Sequence, residues 1–383
     1  MNLLEILQTK QINTPDQATY EASKAKWDLV AKPLNSLGRF EEAINRIAAI
    51  NGTTELFRGR NLYNNQDNNQ DNNQDNNQDN NQNSKTPTAI LYVFAADNGV
   101  VEEGISQSGQ DVTAICARGI ADGKHSVAVM ATKAGVDFQV VDVGINGDVS
   151  EDPNILNKKV RRGTRNFAKE PAMTEEEVIQ AMETGFMLVA DAKEKGYELV
   201  CLGEMGIGNT TTSTAIAASL LGFRAEEITG RGAGLDSAKL QTKKNVIQSA
   251  IDKHGLYNAD PMTVLRTVGG FDIAAMAGAY IGGAAAGIPV VMDGVISAVA
   301  VLVAERLVPR TKEYIIPSHM SGEPAMRKIT EELNLSPIID AHMSLGEGTG
   351  AILMAELLSN VAEVYNHAAR FVERDIAPYE HLR

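Results

Sequence analysis

Glu204 and Glu347 each stand among glycines, in Gly203-Glu204-Met205-Gly206-Ile207-Gly208-Asn209-Thr210-Thr211-Thr212 and Leu345-Gly346-Glu347-Gly348-Thr349-Gly350-Ala351. Glycine neighbours leave room for a ligand to approach a carboxylate. Two such carboxylates at one edge can work as acid and base, or offset charge on an oxocarbenium-like centre. Glu347 directly precedes an apolar helical stretch, where a helix N-terminus favours an ionised carboxylate. Capping that helix is an equally simple role for it. The 203–212 turn offers backbone N–H groups and hydroxyls at the start of a helix, an arrangement that holds phosphate. A tight strand-to-helix turn with a threonine cap accounts for the same residues. The spacing departs from GxGxxG and is too short for a Walker loop. Gly230-Arg231-Gly232-Ala233-Gly234 is a second flexible turn, leading into Lys243 and Lys244. By pattern alone those lysines form a solvated pair on an exposed face, with a reach to phosphate as the alternative. Asp97-Asn98-Gly99, Asp293-Gly294 and Ser318-His319-Met320-Ser321-Gly322-Glu323-Pro324-Ala325 complete the set of turns.

What must position these turns is an alternation of strands and helices. Residues 89–95 (AILYVFA), 138–143 (FQVVDV), 198–202 (ELVCL), 288–292 (IPVVM) and 313–316 (EYII) are short apolar runs, as in buried parallel strands. Between and around them, 112–134, 175–194, 211–221, 236–254, 272–286, 349–365 and 367–375 read as helices, and the first 50 residues are helical as well. Thr174, followed by acidic residues, opens the 175–194 helix. The predicted fold is α/β, a mostly parallel sheet with helices on both faces. Ligands bind such sheets beyond the carboxyl ends of the strands, and all of these turns but the one at 230–234 are expected at that edge.

Composition narrows the partners. The 383 residues carry a formal net charge of −14, which leaves no electrostatic footprint for nucleic acid or anionic lipid. An anionic substrate must therefore be held by local devices. Cys116 and Cys201 read as buried core thiols in a reducing compartment. The six histidines show no metal-ligand spacing. The N-terminus lacks the pattern of a signal peptide, and the apolar stretch 288–307 is interrupted by Pro289, Asp293 and Glu305, so a cytoplasmic protein without a membrane span is expected. Residues 64–83 repeat NNQD four times and end in NNQN. Such a run buries nothing and is expected to be a disordered surface insertion.

Taken in order along nearly the whole chain, the turns resemble the nicotinate-nucleotide:dimethylbenzimidazole phosphoribosyltransferase family. The resemblance begins at Lys32-Pro33-Leu34-Asn35-Ser36-Leu37-Gly38 and runs through GVVEEGIS, GEMGIGNTTT, GRGAG, GGFDIAAMAGA, PVVMDG, SHMSGEPA and LGEGTGA. It implies that Glu347 is the general base and Glu204 a second active-site carboxylate. It puts Gly206 and Gly208 at the nucleotide phosphate, with Ser321 and Gly322 as a further phosphate contact. Lys243 matches the phosphate-binding lysine, which reverses the reading of it as a solvated residue. Asn209, Asp293 and Pro33, inside matching elements, carry over as substrate-binding positions. The acceptor pocket draws on the first-strand loop, where Ser106 lies, and on Leu345. The resemblance also implies a Rossmann-like α/β domain (88–335), a small helical domain from both chain ends (1–60 and 336–383) flanking the 61–87 insertion, and a homodimer. It implies no metal and no redox cofactor.

The sequence departs from the family between the first strand and the following helix. Asp97-Asn98-Gly99 replaces Asp-His-Gly. Ser106-Gln107-Ser108-Gly109 and Val112-Thr113-Ala114-Ile115-Cys116 lack the usual aromatic, proline and glutamine. These changes fall in the acceptor-pocket region and are expected to alter base preference. Two readings compete with the main one: one subunit of a heterodimer with a paralogue, acting on phenolic acceptors, or a catalytically silent nucleotide-binding paralogue. A dinucleotide-dependent oxidoreductase is more distant, since GxGxxG is missing after the first strand. Deleting residues 64–83 is expected to leave activity intact; a large loss in a turnover assay of the deletion variant would show the run to be functional.

Overall fold

Ala89–Ala96 is buried at every position and pairs on both sides, so this strand, β1, lies at the centre of a sheet. The others are β2 (Asp137–Gly144), β3 (Ile155–Asn157), β4 (Leu199–Met205), β5 (Val290–Met292) and β6 (Ile315–Pro317), in the order β3-β2-β1-β4-β5-β6. All strand pairings in the sheet are parallel. The chain runs outward from β1 to β3, then returns to β4 on β1's other side. That reversal opens a crevice beyond the carboxyl ends of β1 and β4, as in doubly wound sheets. The α/β, Rossmann-like class read from the sequence is the one observed. The computed structural model describes residues 2–57, 88–232 and 234–381, so the repeat at 64–83 lies outside the described residues.

In chain order the helices are α1 (Leu3–Thr9), α2 (Gln17–Asp28), α3 (Arg39–Asn51), α4 (Asp111–Ala121), α5 (Ser126–Ala134), α6 (Glu175–Glu194), α7 (Asn209–Leu221), α8 (Ala225–Ile228), α9 (Ser237–His254), α10 (Pro261–Val268), α11 (Phe271–Ala286), α12 (Val295–Leu307), α13 (Pro324–Leu333) and α14 (Thr349–His367). Alternation along β1 divides them between two layers. Ile90, Tyr92 and Phe94 join a core with α6, α7, α11 and α12, whereas Leu91, Val93 and Ala95 join a core with α3, α4, α5 and α14. Each such side chain taken out of water contributes about 1.5–3 kcal/mol. On the first face α6 and α11 pack backbone to backbone: a Cβ on Gly185 would fall 1.8 Å from the Ala275 carbonyl oxygen, and one on Gly278 1.9 Å from that of Met182. The small-residue run in α11 exists for that approach.

The two chain ends meet on the second face. The Tyr365 hydroxyl donates to Ser23 Oγ at 2.8 Å, Ser23 Oγ donates to Asn45 Oδ1 at 2.7 Å, and the Trp27 and Tyr365 ring centroids are 4.8 Å apart. Their apolar residues share one core with β1 and β4.

Three readings need correction. The 112–134 segment is two helices, because Gly123 at φ 74° follows the end of α4 and turns the chain before α5. The 367–375 segment contains only a 3₁₀ turn, Phe371–Arg374, since the backbone there is spent on Leu29 and Ala31 (Phe371 N–H to Leu29 O at 3.1 Å, Ala31 N–H to Ala369 O at 2.9 Å). Cys116 is only half-buried, while Cys201 is fully buried. Helices α8, α10, α12 and α13 and strand β3 escaped the sequence reading.

Candidate active site

Loops from the carboxyl ends of β1, β4, β5 and β6 close around one cavity of about 240 Å³, joined by the 344–347 segment that leads into α14. Glycine geometry shapes its floor. A Cβ on Gly206 would sit 2.3 Å from the Ala96 carbonyl oxygen, and Gly208 has φ 96° with Val101 Cγ2 2.7 Å from where a Cβ would be. The turn therefore lies flat on the end of β1 and delivers the chain into α7, whose N-terminus receives no side-chain cap. The helix's positive end is left facing the cavity beside Thr210. Beneath it, Thr113 Oγ1 accepts the Ile207 N–H at 3.1 Å and donates to Asp97 Oδ1 at 2.6 Å, and Thr212 Oγ1 donates to Asn98 Oδ1 at 3.1 Å. Asn98, one of the departures from the family pattern, is thus buried scaffolding and not cavity wall.

Lys243 arrives from α9, fully buried, with Nζ donating to Thr210 Oγ1 at 2.9 Å. Lys244, its neighbour, pairs with Glu226 at 2.8 Å. The solvated-pair reading therefore fails for Lys243: the helix turns it inward. No carboxylate among the described residues lies within ion-pair distance of it, and burial pulls its ammonium down to about 8 against a weaker upward pull from Glu323. A buried cation bonded only to a hydroxyl is suited to an incoming anion.

Glu347 takes a left-handed backbone, φ 62°, between Gly346 at 85° and Gly348 at 93°. A non-glycine residue there costs about 1–2 kcal/mol, so the fold must hold it in place. Gly203 makes the space, because a Cβ on it would come 2.2 Å from the Glu347 carbonyl oxygen. The α14 N-terminus is capped from outside: Asp293 accepts the N–H groups of Gly348 at 3.2 Å, Gly350 at 2.8 Å and Ala351 at 3.2 Å. Burial raises the Asp293 carboxyl, while His319 and these N–H groups act to lower it. Glu347 is consequently not the cap. Its Oε1 lies 3.2 Å from His125 Nδ1, and its Oε2 is buried with no hydrogen-bond partner among the described residues.

Glu204, at the end of β4, is buried too. Burial, then the Asp272 carboxylate, push it up to about 8, so it carries a proton at neutral pH. Asn209 Nδ2 donates to Glu204 Oε2 and, at 3.0 Å, to Asp272 Oδ2; burial pushes Asp272 to about 6. In the unfolded chain Glu204 ionises near 4.5. Between that value and about 8 the folded chain binds the extra proton, so stability falls as pH rises. Glu204→Gln is therefore expected to raise the melting temperature relative to wild type by more at pH 8.5 than at pH 5. A difference that stays constant across melts at several pH values would mean Glu204 does not titrate in that window.

The structure brings Ser106, Glu204, Gly206, Gly208, Asn209, Asp293, Ser321, Leu345 and Glu347 to one cavity. Lys243 stands behind Thr210, and Gly322 follows Ser321 with its N–H on Met343 O at 3.3 Å. Pro33 is not on the cavity wall; it lies in the turn before α3, where Lys32 pairs with Glu41 at 2.6 Å. Of the departing positions, Ser106 and Gln107 line the cavity, whereas Ile115 and Cys116 do not. Sequence reasoning missed Arg231, Glu323 and His319 on the wall and Asp272 behind it. Arg231, the one cation in a glycine turn, carried a signal; the others carried none locally.

Residues 76–376 match a family model, DBI_PRT, described as phosphoribosyltransferase. The nicotinate-nucleotide–dimethylbenzimidazole phosphoribosyltransferase of Ruminiclostridium cellulolyticum is 40% identical over 364 residues, covering 95% of each chain. The protein of the same name from Clostridium acetobutylicum is 37% identical over 383 residues, with 100% of both covered. Among solved structures, CobT from Thermus thermophilus superimposes with a TM-score of 0.82 at 33% identity, covering 94% of this chain and 100% of that one.

Proposed function

The chain belongs to the DBI_PRT phosphoribosyltransferase family, and on that premise we propose that it moves the ribose 5-phosphate of nicotinate mononucleotide onto dimethylbenzimidazole, releasing nicotinate, in assembly of the cobalamin nucleotide loop. The relatives named above support this acceptor over a phenolic one. One observation carries the site assignment. Glu347 lines the cavity that also receives the α7 N-terminus, with Lys243 behind that helix end through Thr210.

The chemistry follows from that placement. The donor phosphate rests on the α7 N-terminus, Thr210 and Lys243, with Ser321 and Gly322 beside it. The nicotinate nitrogen is positively charged in the donor, so the ribose C1′ is already electrophilic. The acceptor nitrogen forms its bond to C1′ on the face opposite nicotinate. The C1′–N bond of the donor breaks, and its electron pair neutralises the pyridinium ring. The Glu347 carboxylate takes the acceptor's proton, and C1′ is inverted to an α-riboside. Protonated Glu204 donates a hydrogen bond to substrate, with Asn209 and Asp272 holding its orientation. Ser106 and Leu345 border the acceptor.

Among the described residues no helix is long and apolar enough to cross a membrane. We infer that the enzyme acts in the cytoplasm as a homodimer and that residues 1–60 with 336–383 form its small domain, a reading supported by the Tyr365–Ser23 bond that joins the two ends. The test is chromatographic: nicotinate mononucleotide with dimethylbenzimidazole, benzimidazole, adenine, phenol and p-cresol in parallel. Nicotinate release with an α-riboside phosphate of dimethylbenzimidazole is expected. A product only from the phenols, or none at all, would overturn the acceptor or the activity respectively.

A further inference from the structure

We propose that His125 is the positioning residue for the base: it donates its Nδ1–H to Glu347 Oε1 and so fixes the plane of the carboxylate that receives the acceptor's proton. This rests on the reading of Glu347 given above. The two residues lie 222 positions apart in sequence, with Nδ1 3.2 Å from Oε1. The Glu347 side chain is 9% exposed and that of His125 is 32% exposed, so the pair runs from the buried site toward the surface.

Among the described residues the imidazole makes no other hydrogen bond. His125 occupies the N-cap position of α5, yet its side chain makes no capping bond. Its ring is seated on Gly119, where a Cβ would fall 2.2 Å from His125 Cδ2, and its backbone N–H is bound to Gly119 O at 3.0 Å. Backbone and ring are therefore both fixed, and the ring cannot swing away without opening that contact. His125 does not line the cavity, so it acts through Glu347 and not on the nucleotide.

The need for such a residue is geometric. A carboxylate free to turn about its last side-chain bond spreads its lone pairs over many directions, and only some planes aim an oxygen at the acceptor's proton. A charge-assisted hydrogen bond on Oε1 removes that freedom before substrate arrives. The His125 N–H is shared with Glu347 and not transferred: the acceptor N–H bond breaks, its proton goes to the Glu347 carboxylate, and its electron pair remains on the acceptor.

The experiment measures kcat and nicotinate mononucleotide affinity for wild type, His125→Ala, His125→Phe and His125→Asn, with thermal melts for each. Alanine and phenylalanine are expected to lower kcat by about 10- to 100-fold, the worth of one hydrogen bond to a charged group, with nucleotide affinity unchanged. Asparagine returns an N–H donor near the Nδ1 position and is expected to recover most of the loss. Adding His125→Ala to Glu347→Gln is expected to cost nothing further. Full turnover in both the alanine and phenylalanine variants, or losses that fall on nucleotide affinity or add fully to Glu347→Gln, overturn the proposal. So does an asparagine variant that melts like wild type but turns over no faster than alanine. Wild type inactive with every acceptor would instead sink the functional reading beneath it.

Discussion

Glu347→Gln is expected to lower kcat by about 100- to 10,000-fold, the usual contribution of a positioned general base, while nicotinate mononucleotide binds as it does to wild type. The asymmetry follows from placement. The phosphate devices, the α7 N-terminus and Lys243, belong to β4's turn and α9, whereas Glu347 belongs to the loop before α14. Glutamine keeps the shape and removes the proton acceptor. The α14 N-terminus is not disturbed either, because Asp293 and not Glu347 accepts its N–H groups. Calorimetric titration beside a turnover assay checks both halves. Undiminished kcat would remove Glu347 from the base role, and a matching loss of nucleotide affinity would make it a binding residue instead.

Lys243→Met is expected to act in the opposite sense, raising KM for the nucleotide by about 10- to 100-fold with a smaller change in kcat. Methionine fills much the same volume, so the loss is one of charge and not of packing. The pH dependence has a definite sign. In the empty site the ammonium titrates near 8, below its ordinary value of 10.5, because burial disfavours the charge. Phosphate restores the charged form, so wild-type affinity should be greatest below pH 8 and fall above it, with proton uptake on binding. The methionine variant should show no such fall. Stability moves the other way: between about 8 and 10.5 the unfolded chain holds the proton that the folded chain has lost, so wild-type stability rises with pH through that window. Without nucleotide the methionine variant is therefore expected to melt higher than wild type at pH 7, the gap closing toward pH 10. A variant that is both less stable and unaltered in nucleotide binding would return Lys243 to an ordinary core position.

Much of this was legible in the residue order. Five of the six strands were visible as apolar runs, since a strand buried on both faces has no polar side to interrupt it. The 175–194 helix was readable to its ends, because the Thr174 side chain accepts the Glu177 N–H in a local capping box. β3 is only three residues long and pairs at the sheet's edge, so it carried no comparable signal. Helix α12 was hidden by being apolar all round over 295–304: buried on every side there, it shows no period.

The candidate site divides in the same way. Residue type and local spacing determined that glycine turns follow the strands, and that Glu204 and Glu347 stand among glycines. Tertiary structure alone decided which carboxylate does what. Asp293 caps α14 across 55 to 58 positions of sequence, which frees Glu347. Burial, then the Asp272 carboxylate, leave Glu204 protonated against the opposing hydrogen bond from Asn209. Burial takes Lys243 from a surface pattern to a waiting cation. Glycine turns and caps are short-range properties, settled within a few residues of backbone. Desolvation, and the pairing of one charge with another, depend on which strands become neighbours, and that is settled only when the sheet closes.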